Sequence, residues 1–419
     1  MALEERKVAV GDLKPGMYVC RLDRPWEGTP FLLQGVMIED EDDIARLAAC
    51  CREVYIDVER SRVAVGDLPR ASVAPPPAQP PAAPVRSYAT DEIAAMSQQV
   101  AYVDTATLEE ELPQAIEARQ RVVDFAGRML DDVREGRPVS HAQVQDAVGP
   151  MVGSILRNAD AFMWLETLRE RGAYDYSHAL NCSALAAAFG RHVGFPQEIL
   201  GDMASAGLVL DVGKVRVRAE LLARAGALDP GELAEVRDHV ALGLELLDRD
   251  GTMPRHVRDM IRGHHERVDG SGYPDGAAGN GIPLLARIAG LIDSYDAMTS
   301  DRPHSQGMSR HAALQELYRQ RGTLYAPEIV EQFLQCMGVY PTGSLVELSS
   351  GEVGVVMGQN AARRLRPRVM LLTDPDKALL PSFRPLDLMA QAEGDSDALQ
   401  IVGMLEPGAY GLDPADLFL

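Results

Sequence analysis

The chain has 419 residues, 46% of them hydrophobic, which is material for packed cores in two or three domains and excludes a wholly disordered chain. Its formal net charge is -21 with no dense basic stripe, which excludes a long nucleic acid as partner but leaves room for a small anion bound through metal ions. Cys20, Cys50, Cys51, Cys182 and Cys336 form no CxxC pair, the charged N-terminus has no signal-peptide core, and no apolar run approaches the ~20 residues of a membrane span; a cytoplasmic protein without membrane insertion is expected.

Residues 5 to about 63 alternate apolar and polar positions in short runs. Lys7-Val8-Ala9-Val10, Met17-Tyr18-Val19-Cys20 and Val54-Tyr55-Ile56-Asp57 read as strands, with a Pro15-Gly16 turn between the first two. Asp42 to Cys50 reads as one short helix, so 1–65 is a small α+β domain. Prolines from Pro69 to Pro84, interleaved with alanine, predict a semi-rigid linker over 66–106. From 107 onward the pattern turns helical, with stripes such as Val123, Phe125, Ala126 and Met129. We divide this part into a helical connector, 107–160, and a bundle, 161–340, whose helices begin with Pro196, Pro230 and Pro254 in their first turns. After Pro341 three strands are predicted, over 344–348, 353–357 and 368–373, so 341–419 is a β appendage and tail.

Within the bundle, Val257, Met260, Ile261, His264 and His265 share one face of a helix, so both histidines are expected to point inward. A glycine-rich turn, DGSGYP over Asp269 to Pro274, follows directly. Asp211 ends the apolar stretch Ala206 to Leu210, and Asp293 ends the stretch Leu284 to Ile292. An ionised carboxylate buried without a partner costs several kcal/mol, and arginine, a helix N-terminus or a metal can supply that partner. Arg287 is one structural partner open to Asp293. His178 lies on an apolar face with Cys182 and Leu185, and His239 follows Val236 on the helix that opens at Pro230. These polar positions are spaced about one helical hairpin apart, and a bundle can bring such residues to one interior point. Mixed imidazole and carboxylate donors suit Fe, Mn or Zn.

HHERVDGSGYP over His264 to Pro274, DSYDAMTSDRP over Asp293 to Pro303, and LVLDVGK over Leu208 to Lys214 resemble the signature segments of the HD-GYP family of cyclic di-GMP phosphodiesterases, across about residues 170–340. Residues 5–60, with GDLKPGMYV and the stretch Phe31 to Gly35, are similar to a small domain of unknown function often found before such units. The resemblance implies a mainly α fold: an HD-type helical bundle with a small N-terminal α+β domain and a small C-terminal β appendage. It implies that His178, Asp211, His239, His264, His265 and Asp293 ligate two divalent transition metals, Fe or Mn with Zn as a third candidate, and that Asp211 bridges them. Asp211 and Lys214 are the expected catalytic residues, and Lys214, Gly270, Gly272, Tyr273 and Arg302 the expected substrate contacts.

The chain departs from the family pattern at several positions. Leu210 stands where the histidine of a His-Asp pair belongs, and leucine cannot bind a metal. His304 and Ser305 replace the usual Tyr-Arg, Leu324 and Ala326 stand where Gln and Asp are common, and Tyr174 stands where some members carry a glutamate. Two expectations from different classes follow. One is a metal-dependent phosphodiesterase, weakened at position 210, that opens cyclic di-GMP to pGpG or GMP. The other is an inert module, with one metal or none, that senses cyclic di-GMP or docks a signalling protein. A third, hydrolysis of another nucleotide, is disfavoured by the glycine loop. The N-terminal domain is expected to offer a homodimer or partner surface.

Overall fold

The computed structural model describes residues 5–22, 36–38, 40–57, 61, 63, 100–166, 174–222, 228–248, 253–300, 307–360, 363–391, 398–406 and 408–412. The expectations placed on Phe31 to Gly35, on the prolines from Pro69 to Pro84 and on Arg302, His304 and Ser305 lie outside the described residues, as does the side chain of Tyr174. The chain parts into two units, Met1–Val85 and Arg86–Leu419.

In the first unit, strands β1 (Glu5–Ala9), β2 (Tyr18–Leu22), β3 (Val36–Met37) and β4 (Glu53–Asp57) form an antiparallel sheet in the order β1-β4-β2-β3. Alternation drives this arrangement: Val8 pairs with Val54 and Val19 with Ile56, and these four side chains pack with Leu47 of helix α1 (Glu41–Cys50) into a core of their own. Asp40 starts α1 by accepting the Asp43 N–H at 3.1 Å.

The second unit opens with α2 (Leu108–Arg134), α3 (His141–Arg157) and α4 (Ala159–Leu165), and the first two begin in capping boxes, Thr107 with Glu110 and Ser140 with Gln143. The bundle proper holds α5 (Tyr174–Val193), α6 (Gln197–Val209), a 3-10 turn (Val212–Arg216), α7 (Ala219–Leu222), α8 (Pro230–Arg237), α9 (His239–Leu247), α10 (Arg255–Gly263), α11 (Leu284–Thr299), α12 (Arg310–Arg319) and α13 (Pro327–Met337). Helices α5, α6 and α11 bury nearly every side, which is why their sequences read as apolar runs rather than stripes. No helix among the described residues is long and apolar enough to cross a membrane.

Two helical expectations are corrected. The helix opening at Pro230 breaks at Asp238, so His239 begins a new helix rather than continuing the old one. The 3-10 turn packs against this break: a side-chain carbon on Gly213 would lie 1.9 Å from the His239 carbonyl, so the turn abuts the first turn of α9. Likewise α10 stops at Gly263, and His264 and His265 occupy the turn after it, tightened by the Glu266 N–H to the Gly263 carbonyl at 3.0 Å.

The C-terminal sheet runs β8-β7-β6-β5-β9, with β5 (Leu345–Leu348), β6 (Val353–Gly358), β7 (Arg368–Thr373), β8 (Leu379–Asp387) and β9 (Ile401–Leu405), all antiparallel. Three of these strands match the predicted ones. The other two are the edges, and β8 escapes prediction because it carries Pro381 and Pro385, which an edge strand tolerates and a central strand does not. Asp160 on α4 ties this sheet to the helices by accepting the Gln359 N–H at 2.8 Å and the Thr342 hydroxyl at 3.4 Å.

Candidate metal centre

Five segments deliver the side chains named from the sequence. His178 comes from α5, Asp211 from the turn after α6, His239 from the first residue of α9, His264 and His265 from the turn after α10, and Asp293 from α11. All six meet. Asp211 stands at the middle: its Oδ1 lies 3.3 Å from His239 Nε2 and 3.7 Å from His264 Nε2, and its Oδ2 lies 3.4 Å from His178 Nε2. Asp293 faces His178 Nε2 at 3.2 Å through Oδ1 and His265 Nδ1 at 3.7 Å through Oδ2, so imidazoles meet the carboxylate for which Arg287 was a candidate. The imidazoles of His264 and His265 have ring centroids 4.0 Å apart, and that of His239 is 5.1 Å from His265.

Hydrogen bonding fixes what these rings present. His239 Nδ1 is 2.7 Å from the Val236 carbonyl and His264 Nδ1 is 2.7 Å from the Ile261 carbonyl. A carbonyl only accepts, so each Nδ1 carries the proton and each Nε2 turns a lone pair inward. Both Nε2 atoms and Asp211 Oδ1 are buried with no hydrogen-bond partner. Lone pairs facing a carboxylate oxygen repel unless something positive sits among them, and leaving such groups buried and unpaired costs about 1–3 kcal/mol each. The donor set therefore fits a cation: one ligand atom each from Asp211, His239, His264 and His265 lie within 4.8 Å of one another, as do those from His178, Cys182 and Asp293.

Both central carboxylates are held ionised. Burial would raise the Asp211 carboxyl, but the Lys214 ammonium beside it and the contact with His178 hold it well below the ordinary carboxylate range. For Asp293, too, burial is outweighed by the contact with His178, and its carboxyl is held low. Burial and the neighbouring His264 push His265 down to about 2, so that ring is neutral and free to donate a lone pair. Burial alone would depress His178, but the Cys182 sulfur and the carboxylates of Asp211, Asp293 and Asp296 hold it well above the ordinary histidine value.

Around this centre Lys214 reaches Asp211 Oδ2 at 2.5 Å with its side chain 38% exposed, placing an ammonium at the rim. The DGSGYP loop folds back over His265. Tyr273 stacks on that ring at 4.6 Å, and its N–H bonds the His265 carbonyl at 3.2 Å. Gly272 makes this closure possible, since a side-chain carbon there would lie 2.4 Å from the His265 carbonyl; Gly270 lies in the same loop with φ +80°. Of the departures, Leu210 is 2% exposed and belongs to the apolar core, Leu324 packs against that core while its carbonyl takes the Val268 N–H, and Ala326 is buried at the start of α13.

Three residues escaped the sequence reading. Asp296, one turn after Asp293, is 2.8 Å from His178 Nδ1 and takes an amide hydrogen of Asn181 at 2.5 Å; its spacing from Asp293 on a mostly apolar helix was the available signal. Glu266, 6% exposed, accepts the N–H groups of Asp275 (2.7 Å) and Ala277 (2.9 Å) and so pins the far end of the loop. Arg237 lays its guanidinium over Tyr273, 4.8 Å from the ring centre, a contact across two segments that no local pattern announces.

Comparison with known proteins places this geometry. Residues 5–144 match the model of a domain of unknown function (DUF3391), and residues 156–329 match the model of the HD domain. Cyclic di-GMP phosphodiesterase PA4108 of Pseudomonas aeruginosa is 31% identical over 366 residues, covering 87% of this chain and 84% of that protein. The cyclic di-GMP phosphodiesterase response regulator RpfG of Xanthomonas campestris is 36% identical over 154 residues, 36% of this chain and 41% of its own. The 3'3'-cGAMP-specific phosphodiesterase 2 of Vibrio cholerae is 34% identical over 169 residues, 40% of this chain and 31% of its own. Fold and site thus define an HD-domain protein, a helical bundle closed around imidazoles and carboxylates. Within that class the chain belongs to the HD-GYP family, preceded by the N-terminal domain of unknown function.

Proposed function

We propose that the chain is a metal-dependent phosphodiesterase that hydrolyses cyclic di-GMP to pGpG or GMP in bacterial second-messenger signalling. The observation that carries this reading is the trio of buried, unpartnered atoms, His239 Nε2, His264 Nε2 and Asp211 Oδ1, turned toward one another. His178, Asp211 and Asp293 would hold one divalent transition metal, and Asp211, His239, His264 and His265 a second, with Fe or Mn preferred and Zn the third candidate. When bound, such metals polarise a phosphoryl oxygen and lower the pKa of water.

The chain's own groups do the rest. Carbonyls of Val236 and Ile261 and the carboxylate of Asp296 set the ring orientations. Lys214, at the rim, takes a phosphate oxygen and neutralises charge that develops there. The loop of Gly270, Gly272 and Tyr273 forms the wall over His265, and Arg302 is the further anion contact. In this reading residues 161–340 are the hydrolase, 107–160 its helical connector, 341–419 an appendage, and 1–65 a surface for a second copy or a signalling partner.

Leu210 favours a second reading, a module that binds cyclic di-GMP without turnover. Its side chain adds only carbon beside Asp211.

One experiment separates them. Protein loaded with Fe(II) or Mn(II) is assayed for metal content and offered cyclic di-GMP, 3'3'-cGAMP and a mononucleotide monoester. Consumption of cyclic di-GMP is expected. Full metal with no turnover at high enzyme establishes the inert module, preference for the mononucleotide or for 3'3'-cGAMP overturns the substrate, and absence of any transition metal overturns the centre.

A further inference from the structure

Arg237 is the last residue of α8, a helix in which no residue is buried, and it is itself exposed. Its guanidinium nonetheless has a fixed station. It lies over Tyr273, 4.8 Å from the ring centre, and Tyr273 stacks on His265 at 4.6 Å, so a cation stands one ring away from the centre. The bend at Asp238 that begins α9 with His239 leaves Arg237 on its other side. In a chain of net charge -21 a cation is readily claimed by a carboxylate: Arg218 takes Glu235, Arg258 takes Asp248 and Arg262 takes Asp275. Among the described residues Arg237 has no such partner. Its contact with the ring uses no oxygen acceptor, so the N–H fork stays available for two oxygens of one phosphate.

We propose that Arg237 is a substrate-binding residue, its guanidinium taking the phosphodiester of cyclic di-GMP that is not being cut. The inference rests on the reading of this site as one that receives cyclic di-GMP, and deepens it. That molecule carries two phosphates. Lys214, beside Asp211, serves the one at the centre. The other enters a site that already holds the carboxylates of Asp211, Asp293 and Asp296, and it needs a cation of its own to offset their repulsion. Arg237 supplies that cation at the loop wall. An arginine that only braces Tyr273 against His265 would steady the wall without recognising charge.

The test uses the metal-loaded full chain and cyclic di-GMP. The Kd, or KM where the ligand is turned over, is measured at several salt concentrations, with metal content recorded alongside. Arg237→Ala is expected to weaken binding ~10- to 100-fold and to flatten its salt dependence, because one ionic contact is gone. Arg237→Lys keeps the charge without the fork; its affinity should fall between the two, with a salt dependence like that of wild type. Unchanged affinity in Arg237→Ala overturns the assignment and leaves cyclic di-GMP as the ligand. Weakening with an unaltered salt dependence, or with loss of metal, overturns it too, since the arginine is then a brace for Tyr273. Metal-loaded wild type that binds no cyclic di-GMP overturns this inference together with the reading beneath it.

Discussion

Helices α6 and α10 each serve two histidine–aspartate clusters, and the two behave differently. Within the helices, Asp202 of α6 lies between His256 of α10 and His141 of α3. Its Oδ2 bonds His256 Nε2, while its Oδ1 takes an amide hydrogen of Gln145 at 2.5 Å and faces His141 Nε2 at 3.4 Å. Past the helix ends, ~13 Å further along α6 by helical rise, Asp211 meets His239 and His264. The residue types are the same. At Asp202 the Gln145 amide and the His256 ring answer the carboxylate, so the cluster is a clamp that holds α3, α6 and α10 together, with only His141 Nε2 left buried and unpartnered beside it. At Asp211 the facing nitrogens have their protons on the far side of the ring, bonded to carbonyls, so carboxylate and lone pairs confront each other. Composition does not separate a structural cluster from a ligand set; the direction of the hydrogen bonds does.

The sharpest way to break the contrast is Asp211→Asn. It removes the carboxylate shared by both halves of the centre, and we expect loss of at least one metal by elemental analysis and a ~100-fold or greater fall in turnover. Next is Asp296→Asn, which leaves the centre's donors in place but weakens the acceptor that orients His178; metal affinity by competition with a chelator should fall ~10- to 100-fold. Asp202→Asn should do the reverse. We expect ~1–3 kcal/mol of lost stability in denaturant unfolding with metal content unchanged, and equal loss of metal in this variant would erase the distinction between the clusters.

The smallest effect is in the pH dependence of the clamp. Contact with Asp202 raises the folded pKa of His256, so its contribution is full below the ordinary 6.5 and fades as pH rises through the raised value. Burial would raise the Asp202 carboxyl, but His141 and His256 hold it low, so its contribution is present above the ordinary 3.8 and lost as pH falls through the depressed value. The stability difference between wild type and His256→Gln should therefore be greatest between those two ordinary values and shrink on both sides; a flat difference would remove the charge pairing from the account.

Much of the centre is legible in the sequence because its donors end long apolar stretches or interrupt apolar faces, as Asp211 and Asp293 do. The helical pattern alone does not say where α10 stops, and it carried His264 and His265 onto the helix when a backbone bond from Glu266 to Gly263 had already turned the chain. What supports the donors is harder to read. Asp296 serves His178 from a distant helix, Glu266 spends its carboxylate on backbone N–H groups, and Asp202, His141 and His256 sit at positions whose pairing only the folded bundle reveals. In the C-terminal sheet the central strands announce themselves by β-branched and aliphatic runs, whereas β8, half exposed and broken by prolines, has no such run to show.

Those prolines also bear on self-association. A sheet margin invites an incoming chain through its free N–H groups, and the prolines of β8 have no N–H to offer. Growth of the sheet by accretion of further copies is thereby discouraged along that side, and a filament built by strand swapping would have to begin elsewhere.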